Sequence, residues 1–184
     1  MTAARRRWAA ELLHFWFHAL GPDNWFNVDK KVDEALGRHF EPELFALCGQ
    51  PAASFLGDPL TARAAVLLFD QLPRNLYRGE AQAFAFDPLA RAICREAIAR
   101  GWERGLSKPE RQFLGMPLMH SEEIADQRAS LAYYARLGDA DAFDFARRHH
   151  RMIARFGRFP HRNAVLGRAS SKSELAAIAA GNIW

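Results

Sequence analysis

Apolar positions recur along this chain at helical spacing, broken by glycine and proline, and the pattern predicts helices almost throughout. Residues 5–20 place Trp8, Leu12, Phe15 or Trp16 and Ala19 on one stripe, which Gly21-Pro22 stops. Trp25-Phe26 in the next turn is expected to anchor that turn on the core. Val32, Leu36, Phe40, Leu44 and Leu47 mark a second helix over 28–47, with a kink expected near Pro42. Asp58-Pro59 offers an N-cap and a first-turn proline to a third helix, which should end at Pro73. Asp87-Pro88 repeats that signal for a fourth, closed by Gly101. Ser107 and Glu110 form a capping box for a fifth, bent by Pro117 and ending near Met119. Ser121 is read as the cap of a sixth, with Glu122 and Glu123 in the first turn where the helix dipole favours acids. Gly138 and Asp139 alone separate it from a seventh helix reaching Phe156, so the two must pair as an antiparallel hairpin. Pro160 is expected to open a short helix to Gly167, and Ser171 with Glu174 boxes the start of a last one ending at Gly181.

Composition strengthens this reading. Ala and Leu number 53 while Val, Ile and Thr number 12, a bias toward residues that lose little rotamer freedom in a helix. The expected fold is all-α, about nine helices packed as antiparallel hairpins in one domain over 1–184. No apolar run approaches the roughly 20 residues that cross a bilayer. Glu11, His14 and His18 interrupt the apolar part of the opening, which excludes a targeting peptide. Cys48 and Cys94 are no disulfide framework, and a reducing cytoplasm fits them.

Charge is unevenly placed. The net charge is only +4, yet residues 145–168 carry seven arginines (147, 148, 151, 155, 158, 162, 168), three histidines (149, 150, 161) and no acid. So many guanidinium groups repel one another, and an anionic ligand or the protein's own acids must meet them. His149 shares an apolar face with Phe145, Met152 or Ile153 and Phe156 and should point inward, whereas Arg148, Arg151 and Arg155 form a separate stripe. An inward histidine is more often a hydrogen-bonded core residue than a catalyst.

Two near-echoes, Leu72-Pro73-Arg74-Asn75 and Phe159-Pro160-His161-Arg162-Asn163, stand at helix boundaries, where proline fixes the turn and arginine offers a planar fork. Each alone reads as a helix-breaking elbow whose arginine pairs with a nearby carboxylate. With Asp70-Gln71 before the first and His120-Ser121-Glu122 at another helix start, they become a convergent polar set of the kind that lines pockets.

LLHFWF (12–17), DQLPRN (70–75), MPLMHSEE (116–123) and RFGRFPHRN (155–163), in this order and spacing, resemble the bacterial domain-of-unknown-function 924 family, within the tetratricopeptide-like helical superfamily. The likeness covers essentially the whole chain and implies a right-handed tetratricopeptide-like array and no established activity. Residues 122–155 are loosely spaced like one such helix pair, without a clean second copy. The family's signature polar residues fall on Asp70, Gln71, Arg74, Asn75, His120, Ser121, Glu122, His149, Arg155, Arg158, His161, Arg162 and Asn163. Leu72 stands where the family usually has an aromatic, and Arg151 where an acid is expected beside the histidine.

Two functions follow as expectations. The first is a binding module in which Arg74, Arg158 and Arg162 hold a small anionic molecule or a peptide carboxylate, at about 1.5–3 kcal/mol per charge-assisted bond. The alternative is a hydrolase-type enzyme with His120 or His149 as general base, Glu122 or Asp70 orienting it, and the arginines stabilising negative charge. No Gly-x-Ser-x-Gly elbow, phosphate-cradling glycine loop or zinc signature accompanies it. No cofactor is implied. His120, Glu122, His149 and Asp70 are metal-ligand types without a diagnostic spacing, so no metal is expected. A nucleic-acid partner is disfavoured by the modest net charge and by the acids at 122, 123, 126, 139, 141 and 144 that can lie alongside the basic run.

Overall fold

The start signals act as their chemistry allows. The Asp58 carboxylate accepts from the Thr61 N–H at 2.9 Å, the Asp139 carboxylate from the Ala142 N–H at 2.9 Å, and Ser107 with Glu110 and Ser171 with Glu174 close reciprocal capping boxes. Each satisfies donors a helix leaves unpaired, at about 1 kcal/mol per cap. The structure, a computed structural model, describes residues 7–182, so the predicted start of the first helix at residue 5 lies outside the described residues.

All regular elements among the described residues are helical. They are α1 (Arg7–His14), which widens into a π turn (Phe15–Ala19), α2 (Pro22–Trp25), α3 (Lys30–Leu47), α4 (Pro59–Val66), a π turn (Leu67–Gln71) continuing into α5 (Leu72–Leu76), α6 (Asp87–Ala99), α7 (Lys108–Met119), α8 (Ile124–Leu137), α9 (Ala140–Phe156) and α10 (Lys172–Ala179). Taking the Pro59–Leu76 run as one helix gives nine among the described residues. Short 3-10 turns stand at Ala52–Phe55, Ala81–Phe84 and Pro160–Arg162.

Three boundaries differ from expectation. The third helix passes Pro73, because the preceding π turn takes up one residue: the Leu72 N–H bonds the Leu67 carbonyl, and Pro73 falls in the first turn of α5, where its missing N–H costs little. Ser121 is not the cap of α8; Glu123 occupies that position, although the Ser121 hydroxyl accepts the Glu123 N–H at 3.1 Å. The helix expected from Pro160 to Gly167 is one 3-10 turn, Pro160–Arg162.

The central run is buried all round. Leu67, Leu68, Phe69, Asp70 and Leu72 are each 2% exposed or less. Leu67, Leu68, Phe69 and Leu72 belong to the main core with Leu12, Trp16, Leu36, Phe40, Leu44, Ile93 and Phe113, and each buried Leu or Phe contributes about 1.5–3 kcal/mol. The Trp25 indole N–H donates to the Trp16 carbonyl at 2.8 Å, whereas Phe26 stacks on Phe113 with 60% of its surface open. A second cluster (Met119, Tyr133, Tyr134, Leu137, Ala142, Ala146) binds the α8–α9 hairpin to α7, and a third (Met152, Ile153, Phe159, Ala177) seats the Pro160 turn on α9. Because the core closes around the Leu67–Leu72 stretch, a polar residue in it, Asp70, is carried to the interior.

Candidate functional site

A carboxylate with no exposed surface must be paired to stay charged, and Asp70 has none. Its Oδ1 and Oδ2 lie 2.8 and 3.0 Å from His120 Nδ1, Gln71 Nε2 donates to Oδ2 at 2.5 Å, and the Arg74 guanidinium stands 3.3 Å from Oδ1. Burial pushes the carboxyl up, but Arg74 and His120 outweigh it and hold it well below the usual carboxylate range. At His120, burial and the Arg74 charge outweigh the pull of Asp70 and hold the ring below its ordinary value. His120 is therefore a neutral imidazole at pH 7, its Nδ1 proton directed at Asp70. Nε2 keeps its lone pair, and no described residue bonds to it.

Arg74 also grips both oxygens of Asp87, at 2.8 and 2.9 Å. With Asp87 so occupied, Arg162 reaches only Oδ2, at 3.3 Å, and its Nε has no partner among the described residues. The Arg162 Cζ lies 4.5 Å over the ring of Phe84 and 4.5 Å over that of Phe159, and the residue is 6% exposed. Burial, then repulsion from Arg74, lower its pKa to about 10 against the pull of Asp87, Glu122 and Asp70. Its charge is the least compensated in this part of the protein.

The turn Ala81–Phe84, the start of α6, the end of α7 and the Pro160 turn enclose a cavity of about 270 Å3, lined among others by Phe84, Asp87, Arg91, Pro117, His120, Ser121, Glu122, Arg162 and Leu166. Ser121 and Glu122 are already engaged. The Ser121 hydroxyl donates to buried Asp126 at 2.7 Å, and Glu122 accepts from the Phe159 N–H at 2.8 Å and from Arg168 at 2.7 and 3.0 Å. An engaged serine of this kind is no nucleophile.

Of the predicted residues, the fold brings His120, Ser121, Glu122 and Arg162 to the cavity wall, with Asp70, Gln71 and Arg74 directly behind. Asn75 turns aside: its amide donates to the Gln71 carbonyl at 2.9 Å and accepts from Arg78 at 2.7 Å. His149 is buried as predicted, with ring centroid 6.2 Å from His120 and Nδ1 2.8 Å from the Phe145 carbonyl, but Phe145, expected on the same inward face, is 42% exposed, because the buried stripe runs through Ala142 and Ala146 instead. Burial and the neighbouring His120 lower its pKa to about 3. The His161 ring lies tilted against Phe159 at 5.6 Å between centroids, its pKa lowered to about 4 by burial and Arg162. Arg158 is turned to Glu174, at 2.7 and 3.1 Å, where Asn163 also bonds at 3.3 Å, and Arg155 lies exposed over Phe156. These last three point away from the cavity, because the Glu174 carboxylate of α10 captures two of them and the outer face of α9 carries the third.

The protein's own acids meet the arginines around the cavity. Arg74, Arg91, Arg95, Arg162 and Arg168 share Asp70, Asp87, Asp126 and Glu122, five cations to four acids. What is left over is unused bonding capacity at His120 Nε2, and a buried Arg162 Nε without a partner among the described residues. Asp87, Arg91 and Phe84 were not anticipated as wall residues. Asp87 reads in sequence as a helix cap, and only the i, i+4 spacing of Asp87 and Arg91 hints that they share a face. No group of three or more His, Cys, Asp or Glu among the described residues could hold a metal. A second cavity, of about 380 Å3, is lined by Arg7, Glu11, His14, Phe15, His39 and Phe40. His14 and His18 stack beside it at 5.3 Å, but its lining side chains include no buried polar group comparable to Asp70.

The protein is thus of an all-helical class whose wall cavity is backed by a buried Asp–His pair. It belongs to the family described as bacterial protein of unknown function (DUF924), whose family model matches residues 12–182. A solved structure of a protein of unknown function, ATU0120 from Agrobacterium tumefaciens, is similar at 37% sequence identity and a TM-score of 0.88, over 97% of this chain and 98% of that one. No curated protein matches the chain. Among the described residues no helix is long and apolar enough to cross a membrane.

Proposed function

We propose that the cavity binds a small anionic molecule and that His120 acts there as a general base, with Arg162 as the anion partner. The observation that carries this reading is the buried Asp70 carboxylate, 2.8 Å from His120 Nδ1, which fixes the tautomer and leaves Nε2 as the acceptor toward the cavity. A passive anion site has no use for such a pair, so the hydrolase-type alternative gains over simple binding. With Ser121 engaged, the attacking group is a water: its proton passes to Nε2 as its oxygen bonds the acyl carbon, the acyl–oxygen bond of the ester breaks, and the leaving alkoxide takes the proton back from Nε2, while Arg162 holds the substrate's charge. The cavity has room for about nine water volumes, at ~30 Å3 each, enough for a small metabolite or the end of a peptide. Within the same reading the scaffold is a tetratricopeptide-like array working in a bacterial cytoplasm, supported by the α8–α9 hairpin and the family's description.

Thermal unfolding with acetate, propionate, malonate, phosphate and sulfate tests the binding step. Wild-type protein should gain at least 2 °C with one of them, Arg162→Ala should lose that gain, and Arg158→Ala should keep it because Arg158 belongs to Glu174. His120→Gln should retain anion binding while losing whatever hydrolysis of p-nitrophenyl esters the wild type shows. No shift with any anion in the wild type would end the reading.

A further inference from the structure

Arg162 offers a ligand little more than charge, because its Nη1 is on Asp87 and its Nε is buried. A second guanidinium that lines the cavity, that of Arg91, is differently placed. Its Nη1 donates to the Ser121 hydroxyl at 3.1 Å and lies 3.4 Å from the Asp126 carboxylate. Its Nε and Nη2 have no hydrogen-bond partner among the described residues and are not closed off by them, the side chain being 32% exposed. A guanidinium pinned at one corner keeps its other N–H groups for a ligand, and the pinning orders the side chain before the ligand arrives.

The ion pairs show why this charge is available. Arg74 and Arg162 divide Asp70 and Asp87 between them, and Arg168 holds Glu122. Arg91 and Arg95 have Asp126 alone. That carboxylate is already drawn on twice, with Arg95 2.7 Å from its Oδ1 and the Ser121 hydroxyl donating to its Oδ2 at 2.7 Å. Asp87, one helical turn before Arg91 on α6, gives both its oxygens to Arg74. One positive charge in this last group therefore lacks an acid of its own. Of its two arginines, Arg91 lines the cavity and Arg95 is exposed.

We propose that Arg91 is a second anion-binding residue of the cavity, the one whose N–H groups a ligand meets directly, and that Asp126 sets how strongly it binds. The proposal rests on the anion-site reading above and adds its contact residue and the acid that tunes it. The ligand is a small molecule with an anionic oxygen group, carboxylate or phosphate, held beside the segment that carries His120 and Ser121.

Isothermal titration with acetate, propionate, malonate, inorganic phosphate and sulfate at pH 7 and low ionic strength tests it, and the anion that binds tightest tells carboxylate from phosphate. Arg91→Gln should weaken that anion by tenfold or more. Asp126→Asn, of the same shape and with an amide oxygen left for the Ser121 hydroxyl, should tighten it by threefold or more, a gain that misfolding does not produce. Combined with Arg91→Gln, the same substitution should give no gain. Arg91→Gln binding within threefold of the wild type, or Asp126→Asn tightening binding equally with and without Arg91, overturns the role of Arg91 and leaves the Arg162 anion site standing. A wild type that binds none of the five anions overturns the anion-site reading itself. Circular dichroism of each variant separates lost binding from lost folding, and if Asp126→Asn does not fold, Arg91→Gln alone decides the case.

Discussion

At the scale of single residues, Asp70 shows how one buried charge sets the chemistry of its neighbours. It raises the His120 pKa by its charge and hydrogen bond, while burial and Arg74 lower it, and the second pair wins. Asp70→Asn removes the raising partner, so the His120 pKa should fall further below its ordinary value, which NMR titration of the imidazole resonances reads directly. An upward shift would mean that the carboxylate does not act on the ring as its 2.8 Å contact implies. The same substitution leaves Arg74 without part of its counter-charge and should cost about 3 kcal/mol of stability, as breaking buried pairs does. Asp70 was legible in the sequence as a polar residue ending an apolar helix. Asp87 was not, because an aspartate before a proline is sufficiently explained as a helix start, and its pairing with Arg74 and Arg162 depends on turns that bring residues 13 and 75 positions away.

At the scale of elements, α7 and α8 pack closely at Gly115. A Cβ on Gly115 would fall 2.7 Å from Tyr133 Cδ1 and closer still to Cε1. Tyr133 cannot step aside, since its ring is buried and its hydroxyl donates to the Arg111 carbonyl at 2.7 Å. Gly115→Ala should therefore destabilise by about 1–3 kcal/mol despite the better helix propensity of alanine, read as a lower urea midpoint; a more stable variant would refute the close packing. Helix starts were readable where a side chain caps its own backbone at Asp58, Ser107, Asp139 and Ser171, though the cap at Asp29 was not read. Helix ends near proline were not, because a π turn at Leu67–Gln71 lets the chain absorb Pro73 and continue. That turn is decided by packing on all sides of the run, which local sequence does not report.

For the molecule as a whole, the buried histidines set the response to acid. His149 is held near a pKa of about 3 by burial and His120, against about 6.5 when unfolded. Below pH 6.5 the unfolded chain takes up a proton that the folded protein refuses, so stability is full above that pH and declines as pH falls toward 3. The slope from this group approaches about 1.4 kcal/mol per pH unit. His161, lowered to about 4 by burial and Arg162, acts in the same direction. The carboxyls of Asp70, Glu122 and Glu174, all held low, begin to cost stability only below the ordinary carboxylate range. Between pH 6.5 and 5 the histidines thus dominate, and His149→Gln should flatten the dependence of the urea midpoint on pH in that window. An unchanged slope would assign the acid limb elsewhere.

The sequence by itself determined that this chain is helical, where most helices begin, that residues 137–140 make a hairpin, and which face of α9 looks inward. These follow from interactions within a few residues of one another: caps, turns and 3.6-residue periodicity. Only the tertiary structure decided which arginine meets which acid. Arg158 pairs with Glu174 and Arg74 with Asp87, while Arg162 is left with a single 3.3 Å contact and a bare Nε. Electrostatic pairing acts between groups far apart in the chain, and the order in which carboxylates are used up depends on geometry that no local pattern encodes.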